Sequence, residues 1–338
     1  MSTLRVLLLA AVACSSNSVD GPSVDAGTLA DGSRLDAPNA SGPLAAIIGS
    51  AHNVLWVGAH PDDENYVAPL LYDMCNLHGA SCAFLVVTDG GKGCKLSPAE
   101  CGFVDKGGMP AGSIGALRHK EMVLSASFFH GQLDELARED TASATPTGDV
   151  ENWNQSYSGI PNDTGSALIT QKVKDAITQF HPDVIVTFDP RHGVYCHPDH
   201  RAASALTLNV AVSLGFDLSR VLMIESAELY VDANNVITSR AWVPSDPALL
   251  RYDAAAAATW SARSTVFGIH KSQFPAAVVD IIANVPTAAR VLAFLRVSDV
   301  LVNDAPKVDP DYEAVCATEA AWDGHGVCPT ANGVGPCF

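Results

Sequence analysis

Two short stretches of the sequence combine imidazole and carboxylate side chains, the groups that bind divalent metal ions. The first is His60-Pro-Asp-Asp-Glu64, in which one imidazole and three carboxylates occupy five residues. The second is His197-Pro-Asp-His200, whose two imidazoles are three residues apart and can share one face of a helical turn. Imidazole and carboxylate together form a hard and borderline ligand set that suits zinc. The two stretches therefore predict a metal site if the fold brings them together.

Each cluster follows an apolar run with the character of a buried β-strand. Val54–Ala59 precedes the first cluster and Val184–Asp189 the second, and both runs are too short for a helix. Each cluster contains a His-Pro pair, and proline cannot continue a strand ladder but suits the first turn of a helix. In α/β sheets such strand-to-helix turns lie where ligands bind. We therefore expect the two turns to face each other across one crevice of a sheet.

Strand and helix patterns alternate along the middle of the chain, which predicts an α/β fold. We expect a Rossmann-like three-layer α/β/α architecture with a mostly parallel sheet and the metal site at the carboxyl ends of the strands. The interval Gly131–Gly165 is the least regular and is expected to cover the site as loops. Further strands are predicted at Cys82–Thr88, Val221–Ile224, Leu229–Val231 and Val236–Val243, and helices at Asp62–Leu77, Ala116–His130, Ser166–Phe180, Asp199–Leu214, Ala254–Val266 and Ala277–Asn284.

Composition limits the class of partner. The chain has 338 residues, of which 48% are hydrophobic, so it can bury a sizeable core. Its formal net charge is −17, with only 20 lysines and arginines, which disfavours a broad phosphate-binding surface. We therefore expect no nucleic-acid partner.

The N-terminus has the pattern of an export signal. Arg5 precedes an apolar run, Val6–Ala13, that is too short to span a bilayer. Ala11-Val-Ala-Cys14 resembles a bacterial lipobox with Ala11 in place of the usual leucine, and a plain cleaved signal is the alternative. We expect an envelope lipoprotein, attached to a membrane only through a lipid on Cys14, or else a periplasmic or extracellular protein. The expected order is a signal over 1–14, a disordered acidic tether over 15–50, a catalytic domain over 51–302 and a cysteine-containing tail over 303–338.

Export permits disulfides, and the chain has eight cysteines besides Cys14. Sequence alone does not choose among their pairings. Nearness favours Cys75 with Cys82, Cys94 with Cys101, and two of Cys316, Cys328 and Cys337 together. Cys196 can then pair with the third of these or serve as a metal ligand.

The paired motifs resemble those of the PIG-L/LmbE family of metal-dependent N-deacetylases. The resemblance rests on Ala59-His-Pro-Asp-Asp-Glu64 and His197-Pro-Asp-His200, in that order and at that separation. Arg118-His-Lys-Glu121, Thr187-Phe-Asp-Pro190 and His270-Lys-Ser-Gln273 add support. It extends over roughly residues 54–297.

The resemblance also implies a role for each matching position. His60, Asp63 and His200 are expected to bind one zinc ion per chain. Asp62 is the expected general base. His197 is expected to stabilise the oxyanion and protonate the leaving amine, with Asp199 orienting it. Tyr195 is expected to assist at the carbonyl, and Arg118 to contact the substrate, whereas Cys196 departs from the small residue usual at its position.

The residues themselves support hydrolysis. Three protein ligands leave a coordination position open, as catalytic zinc sites require, and a carboxylate beside a ligand can take a proton from water. Two histidines and a carboxylate also define the site of non-haem Fe(II) oxygenases, but those enzymes are all-β. A non-catalytic sugar-binding module would not need Asp62, His197 and Asp199 beside the ligands, and a closed structural zinc site usually has four ligands rich in cysteine. We therefore expect an enzyme that removes acetyl from an N-acetylglucosaminyl unit, with an amidase acting on a larger acyl group as the alternative.

Overall fold

A mostly parallel seven-stranded sheet forms the centre of the protein in the computed structural model. The strand order is β3-β2-β1-β4-β5-β9-β8. The first five strands pair in parallel, whereas β9 is antiparallel to β5, and β8 to β9. These strands are β1 (Asn53–Gly58), β2 (Ser81–Thr88), β3 (Gln132–Arg138), β4 (Val184–Phe188), β5 (Val221–Glu225), β8 (Leu250–Asp253) and β9 (Val291–Arg296), while β6 (Ala227–Val231) and β7 (Ile237–Ala241) form a separate antiparallel pair. The structure describes residues 40, 42–93, 114–140, 146–155, 169–190, 193–194, 197–225, 227–231, 237–241, 250–287, 290–297, 301–302, 305–306, 327–330 and 333–336.

Helices cover both faces of the sheet. They are α1 (Gly42–Ser50), α2 (Ala68–Leu71), α3 (Ile114–Phe128), α4 (Pro146–Gln155), α5 (Ile169–Phe180), α6 (Pro198–Ser213), α7 (Ala257–Ile269) and α8 (Ala276–Ala283), with 3-10 turns at Asp63–Tyr66 and Leu218–Arg220 and a π-helical turn at Tyr72–Leu77. In β1, Val54 and Trp56 pack on one face while Leu55 and Val57 pack on the other. Because both faces are covered, the strand is continuously apolar rather than alternating. The predicted three-layer α/β/α fold is confirmed.

The position of β1 decides where the two clusters meet. Val54 of β1 pairs with Cys82 of β2 on one side and with Val184 of β4 on the other. The chain builds β1, β2 and β3 outward in one direction and then returns to place β4 against the free edge of β1. This reversal creates the crevice at which open α/β sheets bind ligands. The turns that follow β1 and β4 therefore start side by side.

Several predicted boundaries were wrong for identifiable reasons. The helix expected at 62–77 is divided into three short segments, and the first break lies where Pro69 lacks the N–H that would donate to the Asn65 carbonyl in a continuous helix. The tether expected to run to residue 50 ends earlier, since α1 is ordered and buries Leu44 and Ile48 completely. The loops expected over 131–165 include β3 and α4, and β3 alternates in burial because it is an edge strand. Strands β8 and β9 were not predicted.

The two ends of the chain lie mostly outside the described residues, and so do Cys14 and the export signal. The structure describes one small antiparallel pair at the start of the expected tail, 301–302 with 305–306, and another within it, 327–330 with 333–336. Cys75 and Cys82 are joined by a disulfide with their Cα atoms 5.9 Å apart, whereas the other proposed pairings involve residues that are not described. Among the described helices, none combines the length and the apolar character needed to cross a bilayer.

A buried polar contact ties β8 to the segment that follows β1. The hydroxyl of Tyr252, which is fully buried, donates to Asp73 Oδ2 at 2.7 Å. His78 Nδ1 lies 3.0 Å from the other oxygen of the same carboxylate. A buried carboxylate that loses a donor costs free energy because water cannot replace it.

We expect Tyr252→Phe to lower the free energy of unfolding by about 1–3 kcal/mol, because Asp73 would stay buried without this donor. Urea unfolding followed by circular dichroism measures the change. Tyr72→Phe is the matched control, because it removes the same hydroxyl from a partly exposed ring, and it should change stability by less than about 0.5 kcal/mol. Equal stability of the Tyr252 variant and the wild type would contradict the expectation.

Candidate metal centre and active site

The structure brings the two sequence clusters together at the carboxyl ends of β1 and β4. His60 Nδ1 lies 3.2 Å from His200 Nε2, although 140 residues separate them along the chain. Asp63 Oδ1 lies 3.1 Å from His200 Nε2 and 3.6 Å from His60 Nδ1. Three potential ligand atoms thus form a nearly equilateral triangle. Zinc–ligand distances of 2.0–2.2 Å in a tetrahedral site separate neighbouring ligand atoms by about 3.3 Å, so this triangle fits such an ion.

Each of the three side chains is oriented by a contact through its other polar atom. His200 Nδ1 lies 2.6 Å from the carbonyl oxygen of Gly193, which accepts its proton and leaves Nε2 free to bind a metal. In His60 the two ring nitrogens have exchanged roles. Its Nε2 lies 3.0 Å from Asp199 Oδ2 and is the hydrogen-bonding atom, whereas its Nδ1 belongs to the triangle. Asp63 Oδ2 accepts from the backbone N–H groups of Ala59 and His60 at 2.7 and 2.8 Å. These contacts select which atom of each residue faces the centre of the triangle.

Two glycines allow the chain to approach this closely. A Cβ at Gly58 would lie 3.1 Å from Asp63 Cβ and 2.9 Å from Trp56 Nε1, so any other residue would displace a neighbour. Gly193 has a φ of +61°, and a Cβ there would lie 2.9 Å from the backbone nitrogen of Arg201. Gly58 lies two residues before His60, and Gly193 itself provides the carbonyl that accepts from His200. The close packing of the site therefore depends on them.

Two other groups of potential ligands lie within 4.8 Å of one another, namely His60 with His197 and His200, and His60 with Asp140 and Asp199. Asp140 Oδ1 is 3.4 Å from His60 Nε2, the same nitrogen that faces Asp199. A single nitrogen between two carboxylates is arranged as a hydrogen-bond donor, and the triangle with Asp63 matches zinc distances better. We therefore favour His60, Asp63 and His200 as the ligands.

Asp62 directly precedes the candidate ligand Asp63 and has an unusual backbone conformation. Its φ of 125° is rare for a residue other than glycine, and such conformations cost about 1–3 kcal/mol. The surrounding contacts hold it there. Asn65 donates to the Asp62 carbonyl from both its backbone nitrogen and its side-chain amide, at 3.0 and 2.6 Å. Strain maintained by surrounding contacts is typical of functional positions.

Arg118 on α3 supports the same turn. Its Nη2 donates to Asp62 Oδ1 at 2.7 Å and to the Pro61 carbonyl at 2.6 Å. Nη1 donates to the Gly90 carbonyl at 2.9 Å. The residue is only 3% exposed, so the guanidinium is part of the wall of the site. Its expected contact with the substrate stays a prediction, while its contact with Asp62 is observed.

His197 is the N-cap of α6 and stacks on His200, with ring centroids 4.6 Å apart. The backbone N–H of Asp199 donates to His197 Nδ1 at 3.3 Å, so a neutral ring carries its proton on Nε2. Burial lowers the pKa of His197 well below its usual value, and His200 and His60 lower it further. A neutral His197 still offers an Nε2–H donor, which suits an oxyanion. Protonation of a leaving amine by His197 stays a prediction.

The other charges of the site balance one another. Burial alone would lower the pKa of His60, but Asp63 and Asp140 raise it well above the usual value. Burial would likewise raise the pKa of Asp63, but His200 and His60 hold it well below. For Asp62, burial raises the pKa although Arg118 opposes the change. Buried charges are tolerated here because each lies beside an opposite one.

The structure adds Asp140 to the site residues expected from the sequence, and it does not describe two of the expected residues. The carboxylate of Asp199, expected to orient His197, contacts His60 through Oδ2. Tyr195 and Cys196 lie outside the described residues. Asp140 was missed because β3, whose carboxyl end it follows, was taken as loop. Recognition of β3 would have placed Asp140 at the same edge of the sheet as His60.

A family model described as GlcNAc-PI de-N-acetylase (PIG-L) matches residues 55–211. A curated relative, 1D-myo-inositol 2-acetamido-2-deoxy-alpha-D-glucopyranoside deacetylase from Rhodococcus erythropolis, is 29% identical over 161 residues, which are 47% of this chain and 52% of the relative. The chain thus spans about half the length of the curated relative that it matches.

The comparison with solved structures gave further matches at low identity. N,N'-diacetylchitobiose deacetylase from Pyrococcus horikoshii matches 70% of this chain and 76% of its own, with 15% identity and a TM-score of 0.45. The 4-carboxy-2-hydroxymuconate hydratase GalB from Pseudomonas putida KT2440 matches 68% and 82%, with 12% identity and a TM-score of 0.44. The A40926 pseudoaglycone deacetylase Dbv21 matches 72% and 96%, with 15% identity and a TM-score of 0.48.

The family match contains both clusters of the candidate site, from the first ligand, His60, to the last, His200. The resemblance that the paired motifs indicated is therefore confirmed. Residues 55–211 thus match the PIG-L family in the part of the chain that contains the candidate site.

Proposed function

We propose that the protein is a zinc-dependent N-deacetylase that removes acetyl from an N-acetylglucosaminyl-type substrate, with one zinc ion per chain. The observation that carries the proposal is the triangle of His60 Nδ1, Asp63 Oδ1 and His200 Nε2, with edges of 3.1–3.6 Å. Asp62, beside this triangle, is not needed as a ligand. A three-ligand site with an adjacent carboxylate is the arrangement of a hydrolytic metal centre.

The donor set supports a divalent ion of borderline character. Two imidazole nitrogens and one carboxylate oxygen suit zinc and disfavour calcium and magnesium, which prefer oxygen ligands. When bound, zinc would lower the pKa of a water molecule to about 7 and polarise the amide carbonyl.

The residues of the chain would supply the proton transfers and the positioning. Asp62 would take a proton from the attacking water, a role supported by its position directly before Asp63 and by the contact with Arg118 that orients its carboxylate. His197 is placed to donate from Nε2 to the oxygen of the tetrahedral intermediate. Asp199 is placed to keep the His60 ring in the tautomer that presents Nδ1. The close packing of the site would limit competing water.

The relative's name supports the substrate class. The Rhodococcus protein is named as a deacetylase of a 2-acetamido-2-deoxy-glucopyranoside, and the family description concerns removal of acetyl from GlcNAc-PI. We infer that the substrate of this protein also contains an acetamido sugar, and we do not assign the group that is attached to the sugar. Export remains part of the proposal, supported by the apolar run Val6–Ala13 and by the Cys75–Cys82 disulfide, since such bonds persist in oxidising compartments.

We expect purified protein to bind about one zinc ion per chain and to release acetate from N-acetylglucosaminyl compounds. Elemental analysis measures the zinc, and an enzyme-coupled assay measures the acetate across a panel of N-acetylated glycans. A chelator should abolish release, and added zinc should restore it. Acetate release that persists in metal-free protein would refute the proposal.

Asp62→Asn should lower kcat about 10²- to 10⁴-fold while the zinc content stays near one per chain, because the amide cannot accept the proton of water. The variant preserves the size of the side chain and an acceptor for Arg118. Steady-state kinetics and elemental analysis on the same preparation separate the two effects. Loss of zinc together with activity would instead identify Asp62 as a ligand.

Asp199→Ala should weaken zinc binding about 10- to 100-fold, because the His60 ring would lose the carboxylate that orients it. Competition with a chromophoric chelator measures the affinity. Asp217→Ala is the matched control, since it removes the same side chain from the protein surface. If Asp199→Ala lowers kcat without changing zinc affinity, then Asp199 acts through His197, as the family resemblance implied.

A further inference from the structure

The segment His270–Gln273 follows α7 and contacts three separate parts of the active-site wall. It lies beyond residues 55–211, which the family model matches, although its sequence was one of the weaker motifs that indicated the resemblance. His270, Ser272 and Gln273 are all buried, with His270 and Ser272 at 0% exposure. Three buried polar residues among four need an explanation beyond packing, because buried polar groups are costly unless they are paired.

His270 contacts the turn that contains Asp62. Its Nε2 lies 2.6 Å from Glu64 Oε1, and Glu64 itself is 0% exposed. The hydroxyl of Ser125 on α3 donates to the same carboxylate oxygen. Glu64 is therefore anchored from two helices, and it lies only two residues after Asp62. A charged residue at this depth is stable only with such partners.

The remaining residues of the segment fix its own position. The backbone N–H of Ser272 donates to Glu121 Oε1 at 2.9 Å, and its hydroxyl donates to the other oxygen of Glu121. Gln273 Nε2 donates to the Gly93 carbonyl at 2.8 Å. Gly93 belongs to the glycine-containing loop whose Gly90 carbonyl accepts from Arg118. The segment therefore joins α3 and this loop to the turn after β1.

We infer that His270 is a positioning residue for the general base Asp62, acting through Glu64. Arg118 holds the turn on the N-terminal side of Asp62 through the Pro61 carbonyl, and His270 holds it on the C-terminal side through Glu64. Together with the two hydrogen bonds from Asn65, these contacts hold Asp62 at its φ of 125°. The inference rests on the proposed function, because it assigns Asp62 the role of base.

The metal ligands are anchored separately from this clamp. Asp63 is held by the backbone N–H groups of Ala59 and His60, and His200 by the Gly193 carbonyl. Loss of the His270 contact should therefore let Asp62 move while the ligand triangle survives. The expected result is a lower kcat with little change in KM or in metal affinity.

Two variants of His270 test the clamp. His270→Ala removes the donor to Glu64, whereas His270→Gln places an amide nitrogen near the position of Nε2. We expect kcat to fall about 10- to 100-fold in the alanine variant, as for a misplaced catalytic group, and to recover to within about fivefold of wild type in the glutamine variant. Ser125→Ala, which removes the other donor to Glu64, should lower kcat in the same direction, and it carries the test if His270→Ala does not fold.

Tyr252→Phe is the control, because it removes a buried hydrogen bond from the same carboxyl-terminal part of the protein without touching the turn. Its kcat should match the wild type. If the His270 and Ser125 variants keep the kcat of this control, the inference is overturned. It is also overturned if His270→Ala abolishes the visible absorption of bound Co²⁺, since the residue would then maintain the metal site.

Hydrogen exchange provides a readout that does not depend on activity. In metal-free and metal-loaded protein, the amides of residues 63–67 should exchange faster in His270→Ala than in the Tyr252 control. Unchanged exchange at these amides would overturn the clamp. If wild-type protein releases no acetate from any compound, the proposed function fails, and the exchange and cobalt measurements still decide whether His270 holds the turn.

Discussion

The site depends on the parallel pairing of β1 with β4. Three residue pairs, from Val54 with Val184 to Trp56 with Val186, bring together segments that are 130 residues apart. Because the two strands run in the same direction, their carboxyl ends meet at one edge of the sheet. His60 follows the end of β1 by two residues, and His200 lies in the first turn of α6, the helix that follows β4. A shift in this register would separate the ligands by more than a metal ion could tolerate.

A second constraint is the burial of many charges in a small volume. The described part of the site contains His60, His197 and His200 among the carboxylates of Asp62, Asp63, Asp140 and Asp199. A buried charge would be costly alone, and opposite charges or backbone donors offset that cost here, while His197 stays neutral. The backbone amides that bind Asp63 illustrate this, because they fix one carboxylate oxygen and leave the other available. The apolar strands beneath supply the rigidity, as where Phe188 stacks against the His200 ring at 4.2 Å.

Sequence reasoning recovered the parts of the fold that have strong local patterns. The strands before both clusters were identified because they are buried on two faces and therefore apolar throughout. The edge strand β3 was missed because half of its residues face solvent and it includes Asp134 and Glu135. Asp140 was lost with it. Contacts such as His60 with Asp199 could not be predicted, because the choice between two nearby histidines depends on side-chain directions that spacing does not specify.

The antiparallel strands and α7 make the folding unit larger than the segment that matches the family. A polypeptide that stopped at residue 211 would lack β5, which covers the outer edge of β4. The edge of β4 from Ile185 to Phe188 would then be open to pairing with other molecules, a common route to aggregation. Glu64 and Glu121 would also remain in the interior without the imidazole and the serine that accompany them. Evolutionary change in the carboxyl-terminal third is therefore limited by the solubility of the whole protein as well as by its chemistry.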